Sequence, residues 1–280
     1  MMRVDAESLK RAAVEQWTAD PCEAHNSAGE LGSKSYFEGI RSAREESSPW
    51  VAEQLDYEGA AGLDVLDVGC GQGIDLANYA MAGARVTGID LTPRHVELAR
   101  AHLAELDLAA TVVQGDAEAL PFKDASFDRV SSNGVLHHTP DMAAALRQIH
   151  RVLRPGGEAR VILYNRSSLH YWCNQVLLEG IIGRQLLAER SMAGVLSRNV
   201  EFSTIGARPL VRVITPRGIR RELRRAGFQD VGTSVRQLAY QDAFPIPILG
   251  KRIRALRDPA VLERIGRVAG WYVIASGRRR

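Results

Sequence analysis

Val65-Leu66-Asp67-Val68-Gly69-Cys70-Gly71-Gln72-Gly73 decides how the rest of the chain is read. An apolar run that ends in an acid and passes into three alternate glycines predicts a buried strand, a tight turn, and a helix starting near Ile74. Glycine lets a backbone take positive φ and lets a ligand approach bare N–H groups. The helix start that follows offers further donors without partners of their own. The stretch therefore predicts a ligand seated on the turn.

Working outward, apolar runs and helical periodicity alternate. Strands are expected at residues 63–68, 84–89, 111–114, 127–132 and 158–164, with helices at 74–82, 93–106 and 141–153 between them. Thr92 and Pro93 suit the N-cap and first position of the second of these helices. A long, mostly helical stretch at 165–202 interrupts the pattern. It then resumes with a helix at 217–226 and strands at 231–238 and 270–276, with Pro245-Ile246-Pro247 in the connection between those strands. Such alternation builds a mostly parallel sheet of seven strands with helices on both faces. Ligands bind such sheets beyond the carboxyl ends of the strands, where the strand order switches. The glycine turn, Asp90, Asp116 and Asn133 all fall at those ends and converge on one crevice.

The N-terminal part has no strand pattern. Helical spacing is expected at 6–17, from Tyr36-Phe37 onward and at 50–57, separated by a polar, glycine- and serine-rich stretch at 25–35. The chain divides into a helical cap or lid at 1–60, a ligand-binding α/β core at 61–165, a helical insertion at 166–208 and a C-terminal completion of the sheet at 209–280. Tyr36 and Phe37 have two readings, as part of a lid that excludes water from the site or as packing of a helix onto the core.

Composition sets outer limits. The 280 residues, 45% hydrophobic and 25% charged, suit a soluble globular protein with material for a core. With 36 basic against 33 acidic residues the net charge is only +3, too small for a global field directed at nucleic acid. The local excess at Arg217, Arg220, Arg221, Arg224 and Arg225 reads as a solvated helix face, and Arg278-Arg279-Arg280 as a frayed tail. Cys22, Cys70 and Cys173 form no metal-ligand spacing, so no metal site is expected, and they suit a reducing, cytoplasmic setting. The apolar stretch 176–187 carries Glu179 and Arg184 and is too short to span a bilayer.

Glycine spacing then separates two ligand classes. A dinucleotide fingerprint is GxGxxG with an acid about 20 residues further on, whereas Gly69, Gly71 and Gly73 give GxGxG preceded by Asp67. The ordered set of Asp67-Val68-Gly69-Cys70-Gly71-Gln72-Gly73, Gly88-Ile89-Asp90, Gly115-Asp116-Ala117-Glu118, and Phe127-Asp128 through Gly134-Val135-Leu136-His137-His138 resembles the motifs of class I S-adenosylmethionine-dependent methyltransferases. Arg151-Val152-Leu153-Arg154-Pro155-Gly156-Gly157 resembles that family's turn before the fifth strand. The resemblance covers roughly residues 60 to 165.

The resemblance implies a Rossmann-like fold and S-adenosyl-L-methionine as cofactor, with S-adenosyl-L-homocysteine as product. It implies that Gly69, Gly71 and Gly73 pack against the methionine part, with Asp67 near its ammonium or organising the turn. Asp90 would accept the ribose hydroxyls, Leu91 would lie on the adenine face, Asp116 and Ala117 would read the adenine edge, and Asn133 would close the site. The structural alternatives are that Asp90 caps a helix and that Asp116 closes a turn.

Methyl transfer from a sulfonium is an in-line displacement, so positioning supplies most of the acceleration and a general base is optional. His138, then His137, are the base candidates for a hydroxyl acceptor, with Tyr36 a third catalytic candidate. Acceptor contacts are expected from Phe37, Arg41, Tyr164, Asn165, Tyr171 and Trp172, outside the shared core, with Arg44 an alternative to Arg41 for pairing an acceptor carboxylate. The insertion either caps the acceptor pocket or forms a homodimer face. A small-molecule acceptor is the first expectation. A methyltransferase using the basic C-terminal region on RNA or protein, and a non-catalytic nucleotide-binding module, are the alternatives.

Overall fold

A computed structural model describes residues 5–201, 203–240 and 257–280. Pro245-Ile246-Pro247 lies outside these. The N-terminal part forms α1 (Ala6–Ala19), α2 (Lys34–Ser47) and α3 (Trp50–Leu55). The core then runs β1 (Asp64–Val68), α4 (Ile74–Met81), β2 (Arg85–Asp90), α5 (Pro93–Glu105), β3 (Ala110–Gln114), β4 (Phe127–Asn133), α6 (Met142–Val152) and β5 (Leu153–Tyr164). The insertion holds a π-helix (His170–Ile182), α7 (Gln185–Glu189) and α8 (Met192–Asn199). Next come α9 (Pro216–Arg225), β6 (Gln229–Arg236), α10 (Pro259–Ala269) and β7 (Tyr272–Arg278).

The seven strands lie in the order β3-β2-β1-β4-β5-β7-β6, with β7 antiparallel to both its neighbours and the other pairings parallel. The order reverses between β1 and β4, which places a crevice above the carboxyl end of β1. Period-two alternation assigns the two faces. Leu66 and Val68 join a core with Leu146 and Ile149 of α6 and Ile219 and Leu223 of α9. Val65 joins Leu76 and Tyr79 of α4 and Val96 and Leu103 of α5 on the other face.

Three local readings change. β5 pairs from Leu153, with a register shift before the Arg129–Glu158 pairing, so the Pro155-Gly156-Gly157 turn lies within the strand's span instead of ahead of it. α10 has no counterpart in the sequence reading; Asp258 caps it by accepting the Ala260 N–H, and Pro259 occupies its first turn. The C-terminal arginines are not all a frayed tail, because the Arg279 guanidinium donates to the carbonyls of His150, Arg151 and Leu153 at the end of α6. That is where a cation best meets unpaired helix carbonyls. On α9, Arg217, Arg221, Arg224 and Arg225 are exposed, the solvated face that was expected.

Leu66 is fully buried on the central strand. Leu66→Ala is expected to lower unfolding free energy by about 2 to 5 kcal/mol in urea titration; a loss under about 1 kcal/mol would show that this face of the sheet closes over the gap.

Candidate active site

The turn after β1 is held by β2. The N–H groups of Gly69 and Cys70 donate to the Ile89 carbonyl at 2.7 and 3.1 Å, and the Gly71 N–H donates to Oδ2 of Asp90 at 2.9 Å. Gly69 and Gly71 have φ of 75° and 51°. Only glycine takes such angles without strain, and a Cβ on Gly69 would overlap the Val135 side chain. Close packing as well as backbone angle therefore demands glycine here.

Asp90 is buried at 7% exposure, yet it carries a charge. Burial works to raise its pKa, but the His95 imidazole and the N–H groups of Thr92 and Gly71 outweigh that and hold the carboxyl below its ordinary range. His95 responds in kind: burial opposes its charge, the Asp90 carboxylate outweighs burial, and the imidazole rises to about 10. The Cys22 N–H lies 3.4 Å from His95 Nε2, too long a contact to keep the ring neutral against that carboxylate. Asp90 retains acceptor capacity, since a carboxylate offers about four lone-pair sites.

A cavity of about 400 Å³ opens above these strand ends. Gly69, Gly71, Asp90, Leu91, Asp116, Ala117 and Asn133 line it, as do His138 and Tyr164. It crosses the sheet from the ends of β3 and β2, past β1, to the ends of β4 and β5, and its volume is that of a small-molecule site.

The other expected site residues lie elsewhere, each for a physical reason. Asp67 is buried below the turn and accepts from the Ser131 hydroxyl at 2.8 Å, so it organises the strand ends and does not line the cavity. Gly73 packs against Ala99 of α5. His137 is 2% exposed, stacked on Tyr164 and beneath His138. Tyr36 corrects the catalytic expectation: its hydroxyl donates to Gln72 Oε1 at 2.6 Å, and burial raises its pKa to about 12. Phe37 stacks on His102, so this pair packs α2 onto the core. Arg41 reaches only Met81 Sδ, whereas Arg44 lines the cavity and pairs with Glu23 and Asp75. Asn165 is fully buried, donating to the Gly270 carbonyl and accepting from the Ser167 N–H. Tyr171 packs with Leu196 and Val211, and Trp172 is 52% exposed; neither lines the cavity.

Lys10, Trp17, His95 and Glu201 are among the lining residues that escaped the sequence reading. Lys10 of α1 pairs with Asp116 at 2.6 Å and Glu118 at 2.5 Å. Trp17 meets His138 edge-on, with ring centroids 5.6 Å apart. Glu201, just after α8, accepts from the Tyr164 hydroxyl at 2.8 Å and faces His138 Nε2 at 3.4 Å. His95 alone had a local signal, five residues after Asp90 in the first turn of the next helix.

Asp67 sets a pH dependence. Burial, then the nearby Asp75 charge, pushes its carboxyl up to about 8. The folded pKa exceeds the unfolded value near 3.9, so its contribution to stability is complete below the unfolded pKa and is lost as pH rises through about 8. Wild-type unfolding free energy should therefore fall between pH 4 and 8 more steeply than that of Asp67→Asn; equal slopes in urea titrations would refute the assignment.

Comparison with known proteins agrees with this geometry. Residues 66–161 match the family described as methyltransferase domain. Over 123 residues the chain is 38% identical to a ubiquinone biosynthesis O-methyltransferase of Pseudomonas paraeruginosa, a match covering 44% of this chain and 52% of that protein. The chain thus spans about half the length of the relatives it matches. A 1,6-didemethyltoxoflavin-N1-methyltransferase from Burkholderia thailandensis, solved with 1,6-didemethyltoxoflavin and S-adenosylhomocysteine, has the same fold at 18% identity. That likeness covers 100% of this chain and 92% of the other, with a TM-score of 0.55. So does a Haloferax volcanii structure described as a complex of the Trm112 methyltransferase activator with a putative methyltransferase, at 19% identity, 99% of each chain and a TM-score of 0.57. The central α/β part of the chain, residues 66–161, is thus similar to the methyltransferase domain family, on a fold shared with solved methyltransferases.

Proposed function

We propose that the protein moves a methyl group from S-adenosylmethionine to a hydroxyl of a small molecule. The observation that carries this is one cavity with two kinds of wall. Short acids and a glycine turn line it over β1, β2 and β3, and Tyr164, His138 and Glu201 line it over β4 and β5.

The first wall fits the cofactor. The glycine turn, whose Gly69 and Gly71 line the cavity, suits the methionine part, and the buried, charged Asp90 suits a pair of ribose hydroxyls through charge-assisted hydrogen bonds. Asp116 suits the adenine amine, but Lys10 holds it in this structure, so the contact between α1 and the β3 end must give way or share. When bound, the cofactor supplies an electrophilic methyl group on a sulfonium.

The second wall suits an acceptor oxygen. The His138 Nδ1–H donates to the Leu210 carbonyl at 2.7 Å, which fixes the ring and turns Nε2 toward Glu201. The imidazole and carboxylate together take up the hydroxyl proton, while Tyr164 steadies Glu201. The relatives named as O-methyltransferases support oxygen as the acceptor atom. Trp17 and Arg44 bring the N-terminal part over the same cavity, so residues 1–60 serve as a cap that excludes water.

The test is transfer of labelled methyl from the cofactor to a panel of hydroxylated aromatic and aliphatic compounds; failure of every hydroxyl compound alongside transfer to an amine would overturn the oxygen assignment. Asp90→Asn should weaken S-adenosylhomocysteine binding by about tenfold or more in calorimetry, as loss of charged hydrogen bonds requires. His138→Ala should lower kcat by about 10²-fold or more and leave that affinity unchanged, whereas wild-type turnover would remove His138 from the reaction.

A further inference from the structure

His137, His138 and Glu201 stand together although Glu201 lies far along the chain from the histidine pair. One ligand atom from each lies within 4.8 Å of the others. Two independent features of this cluster are unfinished as they stand.

The first is a mismatch between His138 and Glu201. The Leu210 carbonyl can only accept, so His138 Nδ1 carries the hydrogen of that contact. In the neutral ring Nε2 then presents a lone pair, 3.4 Å from a carboxylate oxygen of Glu201. Two acceptors facing each other need a proton or a cation between them. The second feature is His137, which is 2% exposed with no hydrogen-bond partner among the described residues on either ring nitrogen. A buried polar side chain left without a partner is destabilising.

We propose that His137, His138 and Glu201 bind a divalent first-row transition cation of the zinc type at the acceptor end of the cavity. Two imidazoles and one carboxylate are a known donor set for such an ion. Magnesium and calcium, which take oxygen donors, fit it poorly. Ligands on a tetrahedral Zn²⁺ with arms of about 2.0 to 2.1 Å stand about 3.4 Å apart, which is the His138 Nε2 to Glu201 Oε1 distance. Outer partners are in place for His138 and Glu201. Metal-bound histidines usually donate their other N–H to a carbonyl, and ligating carboxylates accept a hydrogen bond; here the Leu210 carbonyl and the Tyr164 hydroxyl do so.

Three protein ligands leave a fourth position open to the cavity, which His138 and Glu201 line. The inference rests on the acceptor-end reading above and deepens it. An acceptor hydroxyl in that position forms an oxygen–metal bond, its O–H bond breaks, and the proton leaves to solvent because the cation lowers its pKa. In the loaded protein His138 and Glu201 hold the ion; in the metal-free protein they take up the proton.

The test uses the full chain, free of any histidine tag and stripped with chelator. Co²⁺ is followed by its visible d–d bands and Zn²⁺ by calorimetry, with S-adenosylhomocysteine binding measured in parallel. One equivalent of Co²⁺ should bind with tetrahedral-type bands, and His137→Ala and Glu201→Gln should each weaken it by at least about tenfold. Both variants should bind S-adenosylhomocysteine as the wild type does, which shows that they are folded. No Co²⁺ uptake, or uptake indifferent to both substitutions, would overturn the site. Metal binding without any S-adenosylhomocysteine binding would support the site while refuting the methyltransferase reading.

Discussion

The buried charge of Asp90 is the constraint on which the site depends. Taking a carboxylate out of water costs several kcal/mol unless partners replace the water, and the fold supplies three. They come from the glycine turn after β1, the N-cap of α5 and the first turn of α5. Satisfying one charge thus draws together the ends of two strands and the start of a helix. The Gly69 and Cys70 N–H groups, both on the Ile89 carbonyl, complete the joint. A turn fixed in this way needs no ligand to set its shape, and binding to it carries a smaller ordering cost.

The N-terminal part is attached to this joint by polar contacts at its edges. Gln72 of the turn donates to the Cys22 carbonyl and accepts from Tyr36, and Arg44 joins Glu23 to Asp75 of α4. Lys10 crosses to Asp116 and Glu118 at the end of β3. The Lys10 pairs and the Arg44–Glu23 pair keep some solvent exposure, so their net contribution is modest, whereas Gln72, Tyr36 and Asp75 are buried. Tyr36, Phe37 and Ile40 of α2, by contrast, pack on Ile74 and Leu98 as a small apolar core. The N-terminal part is thus held by apolar packing at α2 and by the Lys10 pairs at α1, which on the proposed function suits a cap that admits a cofactor from the α1 side.

Much of the fold was legible because periodicity is a local signal. The strand ends at Asp90 and Asn133 and the glycine turn follow from patterns within ten residues. Position in the sheet then carries Asp90, Leu91, Asp116, Ala117 and Asn133 to the cavity. What stayed illegible depends on partners far apart in sequence. Tyr36 and Phe37 look the same in sequence whether they face a ligand or a core, and contact with Gln72 and His102 decides. Asn165 follows a strand end as a site residue should, but it is spent on Gly270 and Ser167. Glu201 had no motif at all, and Lys10 belonged to a helix whose period gave its existence but not the surface it covers. α10 went unread between a proline-rich connection and the last strand, although its Asp258-Pro259 start is an ordinary capping signal.

The two walls of the cavity are built by different means, and on the proposed function this separates cofactor recognition from acceptor choice. The cofactor wall uses backbone groups and short acids whose places are set by sheet register, so it tolerates little change. The acceptor wall uses longer side chains oriented by a strip of chain outside the sheet. The Leu210 carbonyl orients His138, the Arg212 N–H donates to the His137 carbonyl, and the Ile214 N–H donates to the Tyr164 carbonyl. Residues 210–214 therefore hold His138, His137 and Tyr164 without adding a strand to the sheet. A substitution there can tilt His138 or move Glu201 while leaving Asp90 and the glycine turn as they are. One core can thus keep a single cofactor while its acceptor changes, because the two sets of distances are fixed by separate parts of the chain.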